Sequence, residues 1–359
     1  MRNRFFKGLK LFIKWIFFLA VIFTGTTAVY HYTMLKTERT VLETSIIGDT
    51  FTSVSGKLIH ACIYGKIDAP LTLIFMHGLG NGETTVSTRP MLEPLSSACQ
   101  ICVIDRPGNG LSKSTNEPRS IESIVAEYRT ALKQFGISGK LVLVAHSIAG
   151  MYADFWACSY PAEVAGIVYI DATLPEIYAE QGEEPFVLKA ASLAKTTGSF
   201  TGLQRILVGD STLIRRDYKN VFSSRDQDLR RMLMFANTWS FATFREKCAA
   251  YQNAGAALAV RKQAAGFAAV PKLYFEADTY HGEYFESVAA AGVKAQYGFT
   301  NDAQLAEWVA GADERRLAEY QQIEALGNVT LVKVSGPHTL YEYAPDVLSE
   351  GISAFVAEL

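Results

Sequence analysis

The stretch from Lys140 to Gly150 constrains the fold of this chain more than any other. Residues 140–144 form a continuous apolar run after the leading lysine, which predicts a strand buried on both faces. Ala145, His146, Ser147, Ile148, Ala149 and Gly150 follow at once, and helical spacing then continues from Ile148 to Ser159, stopped by Pro161. A strand that enters a helix through a serine must turn sharply. Side chains two positions before and after the serine then crowd one another, so only small ones fit. Both positions are alanine here (Ala145 and Ala149), where the usual nucleophile-elbow pattern has glycine.

The segments around this turn repeat its logic. Residues 44–64 alternate in strand fashion about Ser55-Gly56-Lys57, which predicts a β-hairpin. Short apolar runs at Leu71–Met76, Ile101–Ile104 and Val164–Ile170 predict buried strands. Residues 120–135 carry Ile121, Ile124, Val125, Tyr128, Leu132 and Phe135 at helical spacing behind a Ser120 cap. Strands and helices joined by short links imply a mostly parallel sheet with helices on both faces. After Asp171 the regularity stops. Residues 176–268 read as amphipathic helices, including the basic pair Arg215-Arg216, and Lys272–Ala277 resumes the strand pattern. A second helical insert over 280–326 precedes a last strand, Val329–Val334, and a last helix over 345–358. The segment 176–268 is expected to cap the carboxyl edge of the sheet, where open α/β folds bind ligands.

Four signals stand in a fixed order: His77-Gly78 after a strand, Asp105-Arg106-Pro107-Gly108-Asn109-Gly110-Leu111-Ser112, the turn at Ser147, and Ser335-Gly336-Pro337-His338 after the last strand. In this combination the chain resembles the α/β-hydrolase superfamily over roughly residues 50–359. The Asp-Arg-Pro-Gly-x-Gly-x-Ser form is similar to a bacterial branch of small capped serine hydrolases. The resemblance implies an α/β-hydrolase fold with a helical cap inserted between strands.

It also implies roles. Ser147 would be the nucleophile and needs a base within hydrogen-bond reach. His338 is placed for that, on a loop above the sheet edge. Among the other histidines, His31 lies in the apolar N-terminal segment, His60 in the hairpin and His281 in an insert; His77 shapes its own loop, and His146 is expected to point away from the serine. The superfamily pattern supplies two oxyanion donors from backbone N–H groups, here those of Leu79 and Ile148. The acid that orients the histidine is open. In many relatives it follows the strand after the cap, where this chain has Tyr280 at the usual place and Asp278 two residues early. Asp171, ending the strand before the cap, is preferred; Asp278 is the alternative acid and Glu276 the third candidate. Asp105 and Arg106 are expected to tie their loop into the fold rather than to take part in chemistry.

Composition narrows the partners. A net charge of −2 over 359 residues gives no support for nucleic-acid binding. No phosphate-binding loop, dinucleotide fingerprint or metal-binding cluster stands in the sequence, so neither cofactor nor metal is expected. The five cysteines, Cys62, Cys99, Cys102, Cys158 and Cys248, are irregularly spaced and read as buried small hydrophobes despite the Cys99–Cys102 spacing.

The first 33 residues differ from the rest. Arg2, Arg4, Lys7, Lys10 and Lys14 precede an apolar run from Trp15 to Tyr32. That run is near the lower limit for crossing a bilayer, and the cations ahead of it place the N-terminus in the cytoplasm and the rest outside. A retained signal anchor is preferred to a signal peptide cleaved after Ala28, which would release the protein. Residues 34–43 read as a polar linker to a hydrolase domain over 44–359.

The expectation is a membrane-anchored, extracytoplasmic serine hydrolase acting on an ester-like acyl substrate, small or lipid-like. The apolar cap hints at an apolar acyl group. Peptidase, thioesterase and lactonase chemistry are alternatives on the same fold, and a non-catalytic binding or sensing protein is the alternative from another class. Oligomeric state is not legible.

Overall fold

The computed structural model describes residues 2–46, 48–207, 220–237 and 239–359. Eight strands form one sheet: β1 (Asp49–Val54), β2 (Lys57–Gly65), β3 (Leu71–Met76), β4 (Gln100–Ile104), β5 (Lys140–His146), β6 (Val164–Ile170), β7 (Lys272–Asp278) and β8 (Val329–Ser335). Their order is β1-β2-β4-β3-β5-β6-β7-β8. The β1–β2 hairpin and the β2–β4 pair are antiparallel; every other pair is parallel. Ser55 and Gly56 both adopt positive φ (48° and 74°), the geometry that a two-residue hairpin turn requires.

Two helices between strands cover one face of the sheet: α2 (Ile121–Gln134), capped by the Ser120 hydroxyl, and α3 (Ala149–Ser159). Along β5 the side chains alternate between two cores. Leu143 and Ala145 pack with Ile124, Tyr128, Tyr152 and Trp156 of α2 and α3. Val142 and Val144 join the opposite core with Met91, Leu92, Leu348 and Ile352.

The segment between β6 and β7 is helical, as expected. It holds α4 (Pro175–Gln181), α5 (Phe186–Phe200), α6 (Leu203–Leu207), α7 (Ser224–Asn237) and α8 (Phe241–Gln263). Arg215 and Arg216 lie outside the described residues. A second insert between β7 and β8 holds α9 (Ala290–Tyr297) and α10 (Asp302–Glu324), and α11 (Pro345–Ala357) follows β8.

The N-terminal region departs from the sequence reading. Residues 34–43 are not a linker: a single helix, α1, runs from Arg2 to Ser45. Leu42 is fully buried in the core that holds Leu73 and Phe75, and the Glu38 carboxylate makes a bidentate pair with Arg205 of α6 at 2.7 and 2.7 Å. The linker reading rested on polar composition, but Glu38 meets its charge partner more than 160 positions downstream, which local composition does not reveal.

The expected span over 15–32 also shifts. Thr27 and His31 are buried, and the Thr27 hydroxyl donates to the Thr201 carbonyl at 2.9 Å. Residues 8–26 are exposed without interruption. At 1.5 Å per residue they are about 28 Å long, close to the thickness of a hydrocarbon core. One helix is thus long and apolar enough to cross a membrane.

Candidate active site

Ser147 sits where β5 ends and α3 begins, with φ at 56°. A non-glycine residue there carries backbone strain, which the surroundings must hold. They do so through the Ser147 carbonyl, which accepts from the N–H groups of Gly150 (3.0 Å) and Thr173 (2.9 Å). Ala145 and Ala149 are fully buried. Gly150 has no room for a side chain either, since an added Cβ would lie 2.9 Å from that of Ala172.

The His77-Gly78 loop after β3 lies directly against the serine. A Cβ added to Gly78 would stand 3.0 Å from Ser147 Cβ and 2.8 Å from His146 Nδ1. The loop is held from behind by Arg106. Its guanidinium donates to the carbonyls of His77 (2.5 Å) and Gly78 (3.1 Å), and its backbone N–H donates to His77 Nε2 (3.1 Å). His77 Nε2 is therefore the acceptor nitrogen, and Nδ1–H donates to the Gly78 carbonyl at 2.7 Å. Complete burial, and then the Arg106 charge, push the His77 pKa down to about 3, so the ring is neutral. Leu79, next in this loop, is partly buried, and Ile148, next after the serine, is buried.

Arg106 is itself fixed by an ion pair with Glu246 of α8 (2.9 Å), within the cap. Glu246 also meets Arg119 (3.3 Å) and accepts from the Tyr152 hydroxyl (3.0 Å). Burial alone would raise the Glu246 pKa; the two arginines outweigh it and hold the carboxyl below its usual range. Asp105 turns the other way, accepting from the Leu111 N–H (3.0 Å) and facing His60 Nδ1 (2.7 Å). The Asp105-Arg106 pair thus has the structural placement expected for it. Glu246 escaped the sequence reading, because a lone glutamate on an amphipathic helix carries no signal of burial.

His338 lies on the loop after β8, and its Nδ1 is 2.5 Å from Asp171 Oδ2. The other carboxylate oxygen of Asp171 accepts from the Ala277 N–H on β7 at 3.0 Å. The Asp171 N–H donates to the Phe275 carbonyl at 2.7 Å, and φ at Asp171 is 42°. One acid is therefore locked by backbone on one side and holds the histidine on the other. Asp278 is engaged elsewhere: its Oδ1 accepts from Arg316 (2.9 Å) and from His281 Nδ1 (3.0 Å). Burial disfavours its charged form, but His281 and Arg316 prevail and lower its pKa. Glu276 is buried 3.7 Å from Arg316, with its pKa raised chiefly by burial. The structure brings Asp171 to His338, and neither Asp278 nor Glu276.

His146 turns to the loop that carries His338. Its Nε2 donates to the His338 carbonyl at 3.0 Å, and its ring lies 4.6 Å from that of His338 and 5.0 Å, edge-on, from Tyr341. The histidine loop thus folds back over the side of the elbow that carries His146.

A cavity of about 460 Å³ opens beside this site, between α1, the loop after β4 and the cap. Ser147 and His338 are not on its wall, but Trp239 is, and a Cβ added to Gly80 would lie 3.0 Å from that indole. All five cysteines are free thiols; Cys62, Cys99 and Cys102 are buried, as hydrophobes would be.

Comparison with known proteins agrees with this fold. The model of the alpha/beta hydrolase family matches residues 73–332. An uncharacterized Bacillus subtilis protein, YbdG, is 28% identical over 172 residues, 48% of this chain and 51% of that protein. Methylesterase 9 of Arabidopsis thaliana is 29% identical over 105 residues, 29% of this chain and 40% of that one. The chain thus spans about half the length, or less, of these curated relatives. Among solved structures, haloalkane dehalogenase DbeA from Bradyrhizobium elkani shares the fold at a TM-score of 0.54 and 17% identity, covering 86% of this chain and 97% of that one. The thioesterase domain from the curacin biosynthetic pathway does so at a TM-score of 0.54 and 16% identity, covering 85% and 98%. The chain belongs to the alpha/beta hydrolase family.

Proposed function

We propose that this chain is a serine hydrolase that cleaves ester-like acyl substrates through an acyl-enzyme. The reading rests above all on the contact between Asp171 and His338, 2.5 Å apart in the loops above the strand that delivers Ser147. With Nδ1–H facing Asp171, His338 Nε2 is the free base. It takes the Ser147 hydroxyl proton as Oγ attacks the acyl carbon, and the carbonyl π pair moves to oxygen. The N–H groups of Leu79 and Ile148 bind that oxyanion. As the intermediate collapses, Nε2–H gives its proton to the leaving oxygen. Water then attacks the acyl-enzyme by the same route and frees the acid and Ser147.

A serine at this position argues against dehalogenase chemistry, which on this fold uses an aspartate nucleophile. Acyl transfer to water is the chemistry named in methylesterase and thioesterase, which supports an acyl substrate. A site outside the cytoplasm is supported by Arg2, Arg4, Lys7, Lys10 and Lys14, which precede the apolar run that begins at Trp15. Retention of α1 is supported by its second half: a cut after Ala28 would remove the Thr27 contact with Thr201 and sever one continuous helix. A fluorophosphonate probe tests the proposal. Wild type is expected to be labelled, and Ser147→Ala to lose both label and hydrolysis. A folded, unlabelled wild type would leave a binding protein on a hydrolase scaffold. Esters of graded acyl length, run beside amide and thioester counterparts, then identify the scissile bond.

A further inference from the structure

The cap helix α5 is built inside out. Its buried residues are Ser192 and Thr196, small and polar, and they face the protein. Its large apolar residues face away from it. Phe186 is 83% exposed, Val187 73%, Leu193 42% and Phe200 56%. Phe186, Leu193 and Phe200 recur every seven residues and so share one stripe of the helix. A surface helix of a soluble domain has the reverse arrangement, and contiguous exposed apolar area marks a surface with a partner.

The stripe leads to α1. The Phe200 ring meets Tyr32 edge-on at 6.1 Å, and the next residue, Thr201, accepts the hydrogen bond from Thr27. That contact falls where the fully exposed part of α1 ends, at residue 26. Ile206 and Leu207 of α6, 51% and 74% exposed, continue the apolar surface on the far side of the same contact. The two lysines of α5 are engaged by the protein itself: Lys195 Nζ lies 4.0 Å over the Trp239 ring and Lys189 Nζ is 3.8 Å from Glu183.

We infer that the outer face of α5, with the end of α6, lies in the headgroup region of the same bilayer that α1 crosses, so that the cap rests on the membrane surface. The inference rests on the reading of α1 as a membrane span. The occupant is a lipid surface because the face is continuous, through the Phe200–Tyr32 contact, with the helix segment suited to hydrocarbon.

The test uses the full chain in vesicles containing anionic lipid. Single cysteines replace Val187, Leu193, Phe17 of α1, or Ile67, an exposed apolar residue in the loop ahead of β3. Cys158 and Cys248 are changed to serine, and each site carries an environment-sensitive fluorophore. Shallow spin-labelled lipid is expected to quench the probes at Val187 and Leu193 by about twofold or more, deep spin-labelled lipid the probe at Phe17, and neither the probe at Ile67. If the Phe17 probe is quenched by lipid while Val187 and Leu193 respond only to aqueous iodide, the docked cap is wrong and the span stands. If Phe17 is not quenched either, the span fails and the inference with it. Energy transfer between like probes at Leu193, without lipid quenching, would assign the face to a second copy and overturn the lipid surface. Fluorophosphonate labelling of the same samples reports the hydrolase reading independently.

Discussion

Arg106 and Glu246 meet 2.9 Å apart with both side chains buried, and through this pair the cap grips the loop that lies against Ser147. The arginine holds the His77 carbonyl through Nη1 and the Gly78 carbonyl through Nη2, the nitrogen that also meets Glu246. The positions of the cap and of the His77-Gly78 loop are therefore one structural variable.

Glu246→Ala removes the carboxylate shared by Arg106 and Arg119 and leaves two buried cations without it. The loss of stability is expected to be about 3–5 kcal/mol, the usual cost of breaking a buried pair from one side. Denaturant unfolding measures it. Labelling of Ser147 by a fluorophosphonate should slow in native buffer as well, and a variant that loses stability but labels at the wild-type rate would separate the cap from the loop.

Asp171→Asn and Asp278→Asn should part company. The first leaves an amide facing His338 Nδ1 and favours the wrong tautomer, so acylation should fall on the order of 10³–10⁴-fold. The second disturbs Arg316 and His281, away from His338, and should change acylation by less than about tenfold. Burst kinetics with an activated ester distinguish them, and a larger drop in Asp278→Asn would reverse the assignment.

Gly78→Ala places a methyl group 3.0 Å from Ser147 Cβ and 2.8 Å from His146 Nδ1. Overpacking of this kind costs about 1–3 kcal/mol, and here it presses on the elbow serine and on His146 beside it. Hydrolysis should drop at least about tenfold, mostly in kcat, with the melting temperature moved by only a few degrees. Steady-state kinetics together with a thermal melt decide this.

Two buried histidines should tilt stability with pH in opposite directions. His77 has a depressed folded pKa, about 3, set by burial and then Arg106. Below its unfolded value near 6.5 the unfolded chain gains a proton that the folded chain refuses, so this contribution is lost as pH falls from about 6.5 toward 3. For His60, burial works against the charged form, but hydrogen bonds to Asp105 and Asp49 outweigh it and raise the pKa well above 6.5. Its contribution is complete below about 6.5 and is lost as pH rises through the folded value. Melting curves across pH should flatten on the acid side in His77→Gln and on the alkaline side in His60→Gln.

Most of the scaffold was legible in the chain. The largely apolar runs of β3, β5 and β6 read as strands covered on both faces, and the small residues around Ser147 as an elbow. What escaped depends on contacts between distant positions. Arg205 captures Glu38 and turns an expected linker into packed helix. The choice between Asp171 and Asp278 turned on which strand end reaches the His338 loop. Two residues separate the Asp278 position from the usual one, and the sequence does not say which way a loop leans.

The long first helix has a mechanical consequence. Its upstream stretch stands clear of the domain, while Leu42 near its far end is wedged beneath β3. A rigid rod set into a domain at one end passes torque and tilt, as a loose tether would not. Whatever grips residues 8–26 therefore fixes the height and heading of Ser147 over that support. Trimming the rod would strip a pillar from the domain rather than cut a leash.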